Sequence, residues 1–397
     1  MKITDPSAAQ APLGPGRIAA LDILRGFAVG GILFANVLVF FGVTFMPPER
    51  AAALPTADAD QMAAFLERVF VEGKFYSIFS LLFGIGFGVQ LARDAGAAPR
   101  FKRRLRILLA IGAIHALLIW AGDILMLYAL LGFTMPWFAR KSDRALLRWT
   151  LILLSMPAVL YAIAVAVLMA AGSPVSSPSP DAGLPANILE ILEAMGTGGF
   201  ADAFIGNLLF LAGRWADLFF PKVLGMFVLG LWMVRSGLAL SLEDRRRMLV
   251  RWALLGWGVG LPANVVASWA VGHWPYLPPS AGALLGVIMQ SIGFPMLALG
   301  YAATVALLVV SGRRVLNVFA PVGRMALTNY LMHSIICVVL SYGFGFGLWW
   351  KIGPSTAMAI AAAVIVVQIP LSAFWLSRFR FGPVEWIWRR LTYGHSI

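Results

Sequence analysis

The chain has 397 residues, of which 60% are hydrophobic and 12% charged, with a mean hydropathy of +0.84 and a net charge of +13. Such a composition excludes an ordinary soluble domain and leaves room for about ten transmembrane helices at roughly 30–40 residues per helix and loop. The basic balance does not signal nucleic acid, because the Lys and Arg residues stand in short clusters between apolar runs.

Residues 1–16 form a polar, Pro-rich tail without the apolar stretch of a signal peptide, so the first helix itself must direct insertion. That helix is Arg17–Phe40, RIAALDILRGFAVGGILFANVLVF. It is long enough to cross the hydrocarbon, yet it carries Asp22, Arg25 and Asn36, which are costly in lipid unless each finds a partner. Asp22 and Arg25 are three residues apart and can pair on one helical face. Gly26, Gly30 and Gly31 narrow the helix on one side, where a neighbour can approach. An inner helix of a bundle follows.

Further apolar segments fall at about 75–92, 106–122, 124–139, 148–171, 217–236, 252–270, 283–310, 325–346 and 356–377, with the first at 18–43. The third and fourth are joined by almost nothing and predict a tight hairpin around Gly122–Asp123. With the N-terminus inside, all but six of the 31 Lys and Arg fall on the inner side. The six outside are Arg50, Arg68, Lys74, Arg214, Lys222 and Lys351, while the long outer loops 44–74 and 172–216 are rich in Asp and Glu. This positive-inside bias predicts an all-α, polytopic bundle with both termini cytoplasmic. Loop 172–216 opens on a Ser/Pro stretch and continues into amphipathic helices lying on the outer surface or capping a cavity. It separates an N-terminal half, 17–171, from a C-terminal half, 217–397. KFYSIFSLLFGIGFGVQLAR and KVLGMFVLGLWMVR share a faint Lys, Phe, Gly, Arg rhythm that could mark a repeat.

Few polar side chains fall inside the apolar runs. His115 lies about ten residues into the third segment, and Asp123 eight residues later, near the outer end. Asn36 sits at similar depth in the first helix. His333 belongs to GRMALTNYLMHS, which also supplies Thr328, Asn329 and Tyr330. Brought together, His115, Asp123, Asn36 and His333 would form a base, an orienting carboxylate and an amide donor in a dry pocket. Each could instead only hydrogen-bond a neighbouring helix. Lys74 is read as an interface residue, with a polar outer pocket as the alternative. The GIGFG run at 84–88 reads as helix packing, because a phosphate cradle would need a strand there. No Cys/His cluster has metal-ligand spacing, so no metal is expected. In FKRRLR, Arg103, Arg104 and Arg106 read as topology determinants that contact lipid phosphate, with the phosphates of coenzyme A as the minority alternative.

The runs LDILRGFAVGGILFAN, GKFYSIFSLLFGIGFG, GDILMLYALLG, GRMALTNYLMHS and FGPVEWIWRRLTYG resemble the YeiB-like membrane proteins, also called domain of unknown function family 418. The resemblance covers nearly the whole chain in order. More remotely, Asp22, Arg25, Gly26 and Asn36 resemble the opening of the transmembrane acyltransferases, including heparan glucosaminide N-acetyltransferase. That likeness implies transfer of an acyl group from cytosolic acyl-CoA to a hydroxyl or amine at the membrane or its far face. Asp22 and Arg25 would then meet the substrate at the inner mouth. Acyl-CoA would be a co-substrate, with no tightly bound cofactor. Residues 37–74 lack the histidine those enzymes carry there, so the role passes to His115 or His333. The competing expectation is a proton-coupled transporter or permease of a small metabolite or lipid. Either way the expected setting is the bacterial inner membrane, and the partners are lipid and a small-molecule or lipid substrate. A homo-oligomer stays open.

Overall fold

The computed structural model describes residues 15–93, 98–172, 185–214, 220–239, 245–271 and 280–394. The N-terminal tail and most of the Ser/Pro stretch lie outside the described residues. Within them the regular structure is helical, in 17 α-helices with short 3-10 turns. The first half holds α1 (Pro15–Phe40), α2 (Pro48–Ala52), α3 (Ala57–Phe70), α4 (Lys74–Arg93), α5 (Ala98–Leu118), α6 (Leu125–Gly132), α7 (Met135–Ala139) and α8 (Asp143–Ala170). Between the halves lie α9 (Ala186–Thr197) and α10 (Phe200–Arg214). The second half holds α11 (Phe220–Arg235), α12 (Arg246–Val271), α13 (Ala281–Val310), α14 (Phe319–Arg324), α15 (Ala326–Ser341), α16 (Pro354–Arg378) and α17 (Pro383–Tyr393).

Six stretches are long and apolar enough to cross a bilayer, and a seventh arises if α14 and α15, bent by 85°, count as one. Their outward faces are apolar. Leu151 on α8, Leu254 and Trp269 on α12 and Val366 on α16 are 67 to 84% exposed, a pattern that water would penalise and lipid would not. The sequence suggested about ten spans, and the difference sits mainly at the third and fourth. α6 has eight residues and continues, after a break at Phe133–Thr134, into α7, so the fourth segment is a broken helix. Leu105 of α5 packs at Gly132 of α6, and Gly112 lies against the Met126 main chain. α5 has 21 residues, about 30 Å of helix, and is set apart from the apolar stretches by its basic opening turns, not by its length. The pair is a hairpin whose turn packs Trp120 on Phe40, at the C-terminal end of α1. The basic run Arg103–Arg106, expected in a loop, occupies the opening turns of α5.

Glycines set the closest approaches. A Cβ on Gly84 would collide with the Phe227 carbonyl, and one on Gly230 with the Leu81 carbonyl, so α4 and α11 meet backbone to backbone. Gly26 of α1 and Gly323 of α14 do the same, and so do Gly256 of α12 and Gly300 of α13. The main core mixes both halves of the chain, with Ile23, Phe75, Leu105, Tyr128, Phe227 and Leu297 all buried in it. A second core, built on Phe40, Phe41, Trp120, Tyr342, Trp349 and Trp350, lies at the C-terminal end of α1. The site lies between the two.

Candidate functional site

α5 ends because residues 119–124 turn sharply, and the turn is fastened from three sides. Asn207 of α10 accepts from the Ala121 amide and donates to the Ile119 carbonyl, both at 3.3 Å. Tyr342 donates to the same Asn207 oxygen at 3.3 Å. The hydroxyl of Tyr330, on α15, accepts from the Ile124 amide at 3.2 Å. These contacts satisfy backbone groups that the broken helix leaves open.

The fold-back brings His115 and Asp123 together. Nδ1 of His115 lies 2.8 Å from one carboxylate oxygen of Asp123, and both side chains are almost completely buried. The other oxygen accepts from the Met126 amide at 2.6 Å, fixing the carboxylate on the first turn of α6. The contact is made across the turn; it does not run along one continuous helix face, as the eight-residue spacing suggested. Nε2 of His115 is buried without a hydrogen-bond partner. The imidazole ring packs beside Tyr330, with ring centroids 5.5 Å apart. A histidine held at one nitrogen by a carboxylate and free at the other is poised to accept a proton from a neighbouring O–H or N–H.

Near this pair, though lined by neither His115 nor Asp123, is a cavity of about 280 Å³. Ile124 and Tyr330 line its deep end, and apolar residues such as Val29, Ile32, Leu82 and Leu108 line its walls. Its mouth carries Arg25, Arg104, Arg324 and Arg389. Arg25 is paired with Asp22 at 2.8 Å, and Asp22 also feels Arg324. Arg104 stacks over Trp388 at 4.2 Å, bonds the Tyr393 hydroxyl and is repelled by Arg389 and Arg25. The nearby carboxylate of Glu385 is already engaged at the start of α15, accepting from the amides of Leu327 and Thr328 and from the Thr328 hydroxyl. Four guanidiniums thus share one acidic neighbour, Asp22, that is free to face them.

The other candidates take separate places. Arg103 and Arg106 are exposed and point away from the mouth that Arg104 joins. Asn36 is half-buried, makes no hydrogen bond among the described residues, and lies one helical turn beyond Ile32 on the same stripe of α1, outside the cavity lining. His333 is tied to α16, with Nε2 2.6 Å from the Gln368 side-chain oxygen, while Gln368 reaches the Asn329 carbonyl. Asn329 donates to Ser372 and to the Val322 carbonyl. That chain of bonds fastens α15 to α16, and none of it involves His115. Lys74 is fully buried at the far end of α4, donating to the Arg68 carbonyl at 2.5 Å and facing the Phe294 ring, which Lys222 faces as well. No group of His, Cys, Asp or Glu suited to a metal occurs among the described residues.

Arg324, Arg389, Glu385, Gln368 and Asn207 were not singled out by sequence reasoning. Glu385 had one signal, as the lone acid in the basic tail SRFRFGPVEWIWRRLTYG. Arg324 and Arg389 were indistinguishable from topology charges, since only the fold turns them toward the cavity.

These features define a helical membrane-type protein with an arginine-rimmed cavity leading toward a buried His–Asp pair. The chain belongs to the family described as Protein of unknown function (DUF418), whose profile matches residues 233–395. YxaH, an uncharacterised protein of Bacillus subtilis (strain 168), is 33% identical over 412 residues, covering 98% of this chain and 97% of its own length. YeiB, an uncharacterised protein of Escherichia coli (strain K12), is 31% identical over 399 residues, covering 95% and 96%. No solved structure matches the chain.

Proposed function

We propose that the chain is a multi-pass protein of the bacterial inner membrane that transfers an acyl group from cytosolic acyl-CoA to a hydroxyl or amine acceptor. The observation that carries this reading is the buried His115–Asp123 pair, free at Nε2, behind the deep end of the arginine-rimmed cavity. In this reading α1, α4, α5, α6 with α7, α8, α11, α12, α13, α15 and α16 cross the membrane, about ten passes, and both termini are cytoplasmic. The placement of Arg104, Arg324 and Arg389 at one end of the bundle fits the positive-inside bias.

Nε2 of His115 takes the proton of the acceptor O–H or N–H as its oxygen or nitrogen attacks the thioester carbonyl. Asp123 steadies the imidazolium that forms and holds its tautomer. Asn36, whose amide makes no hydrogen bond among the described residues, is the donor assigned to the developing oxyanion. Collapse of the tetrahedral intermediate breaks the C–S bond, and the coenzyme A thiolate recovers the proton from His115. The products are the ester or amide and free coenzyme A. Arg25, Arg104, Arg324 and Arg389 hold donor phosphate at the inner mouth. Lys74, at the other end of α4, has no part in these steps.

Purified protein incubated with acyl-CoA thioesters tests this reading. Coenzyme A release that disappears in His115→Ala supports it. No release across several chain lengths and acceptors overturns it.

A second reading is favoured by a different observation. A span bent by 85° at Met325 and the break between α6 and α7 are like the broken helices that transporters use around a midplane site. Proton-driven uptake into proteoliposomes, lost in the same His115 variant, would place the chain in that class.

A further inference from the structure

We infer that the cavity is a binding site for a single-chain amphiphile with a phosphate-bearing head, its chain lying along α1 and α4 and its phosphate held by the four arginines. This deepens the acyl-donor reading and rests on it for the donor's identity, although the site itself is argued from geometry alone.

Size limits the ligand first. A cavity of about 280 Å³ is at the lower edge of small-molecule pockets and cannot enclose a whole nucleotide thioester. What fits inside is a chain. From Arg25 at the mouth to Ile32 near the deep end α1 rises seven residues, about 10 Å. Ile124 and Tyr330 close that end, so a longer chain meets the hairpin turn. The depth acts as a ruler.

Chemistry sets the head group. Guanidiniums form paired hydrogen bonds to phosphate oxygens, and Arg25, Arg104, Arg324 and Arg389 outnumber their two acidic neighbours, Asp22 and the hydrogen-bonded Glu385. An anion at the mouth relieves their mutual repulsion. The wall adds two observations that also point to an occupant. The side-chain oxygen of Gln90, which lines the cavity, is buried without a partner. Gly86 also lines it, and a Cβ there would meet nothing within 4 Å. Its neighbours in GIGFG differ: Gly84 and Gly88 press against Phe227 and Val234 of α11. Gly86 is thus the glycine of the run that leaves space on the cavity side.

The test is equilibrium binding to the full-length protein in lipid nanodiscs, using ethyl, octyl and hexadecyl phosphate, octanol and coenzyme A as probes. Octyl phosphate is expected to bind at least about tenfold more tightly than ethyl phosphate or octanol, with no further gain for hexadecyl phosphate. Coenzyme A that competes with octyl phosphate identifies its phosphate and pantetheine arm as an occupant. Failure to compete assigns the site to a lipid phosphate. Both Gly86→Leu, which fills the space, and Arg389→Gln are expected to weaken octyl phosphate binding by about tenfold or more. Affinity that ignores chain length, or that survives Gly86→Leu in a folded protein, overturns the inference. Binding as described without coenzyme A release from any thioester would leave this site standing and remove the acyl-transfer reading. Release without alkyl phosphate binding, unaffected by Gly86→Leu, would do the reverse.

Discussion

The α-carbon of Gly84 rests against the main-chain carbonyl of Phe227, so that α4 and α11 touch through their backbones. Two residues on, Gly86 has open space where a side chain would begin. One short run therefore holds both a packing glycine and a free one. Gly84→Ala must push two helices apart and is expected to cost about 1–3 kcal/mol. Gly86→Ala is expected to be tolerated, since alanine fits the space and favours the helix. Thermal unfolding of the two variants in the same detergent checks the contrast.

Glu385 is a buried carboxylate whose job is structural. It accepts from two main-chain amides at the start of α15, at 2.7 and 3.0 Å, just where the chain turns through 85° after α14. Glu385→Ala leaves those amides and the Thr328 hydroxyl without their acceptor. The expected cost is about 1.5–3 kcal/mol, as for hydrogen bonds to a charged group. A lowered melting temperature, partly restored by Glu385→Gln, is the outcome to look for.

His115 and His333 are expected to behave differently. His333 links α15 to α16 through Gln368 at 2.6 Å, so His333→Ala leaves a buried acceptor bare and should destabilise by about 1–3 kcal/mol. Coenzyme A release per folded molecule should survive it. His115→Ala leaves the buried Asp123 oxygen bare as well and should also lower stability, but unlike His333→Ala it should abolish release from the molecules that remain folded. Kinetics on the folded fraction, isolated by size exclusion, separate the two.

Asp123 has two tasks, so its variants should split them. Asp123→Asn can still accept from the Met126 amide but no longer steadies a charged imidazole. Its stability should stay close to that of the parent while release falls by about 100-fold or more, the usual scale for acid–base catalysis. Asp123→Ala removes the cap of α6 as well, and its melting temperature should fall. Equal loss of stability in both variants would argue against the division.

The proposed orientation is open to labelling. In a Cys337→Ser background, a cysteine at Glu190 of α9 should react with an impermeant maleimide added outside the cell. One at Arg247 of α12 should react only after the inner face is exposed. The opposite pattern would invert the bundle.

Much of the architecture was legible in the sequence because lipid imposes a simple rule: long apolar runs must be helices. α1, α8, α13 and α16 correspond to runs visible on inspection. The hairpin is visible as a hairpin, with its turn at Gly122–Asp123, but the break in its second arm is not. Residues 124–139 are apolar enough to look like one continuous span, and the fold divides them into α6 and α7 at Phe133–Thr134. The His115–Asp123 pair was foreseen as a candidate from two polar residues in apolar surroundings. The mouth was harder. Arg104 and Arg106 have the same charge and nearly the same context, and the helical phase of α5 turns one inward and the other outward. No local pattern marks Asn207, because its contacts are 86 and 88 residues away.

That hairpin has a consequence for how such chains are surveyed. A segment that crosses and comes straight back leaves its flanks on the side from which it started. Reporter enzymes fused to the two ends would give one answer for eight crossings and for ten. A reporter inserted after Trp120 distinguishes them, because ten crossings would carry it into the extracytoplasmic space beside α10, whereas a hairpin that stopped short would keep it out of reach.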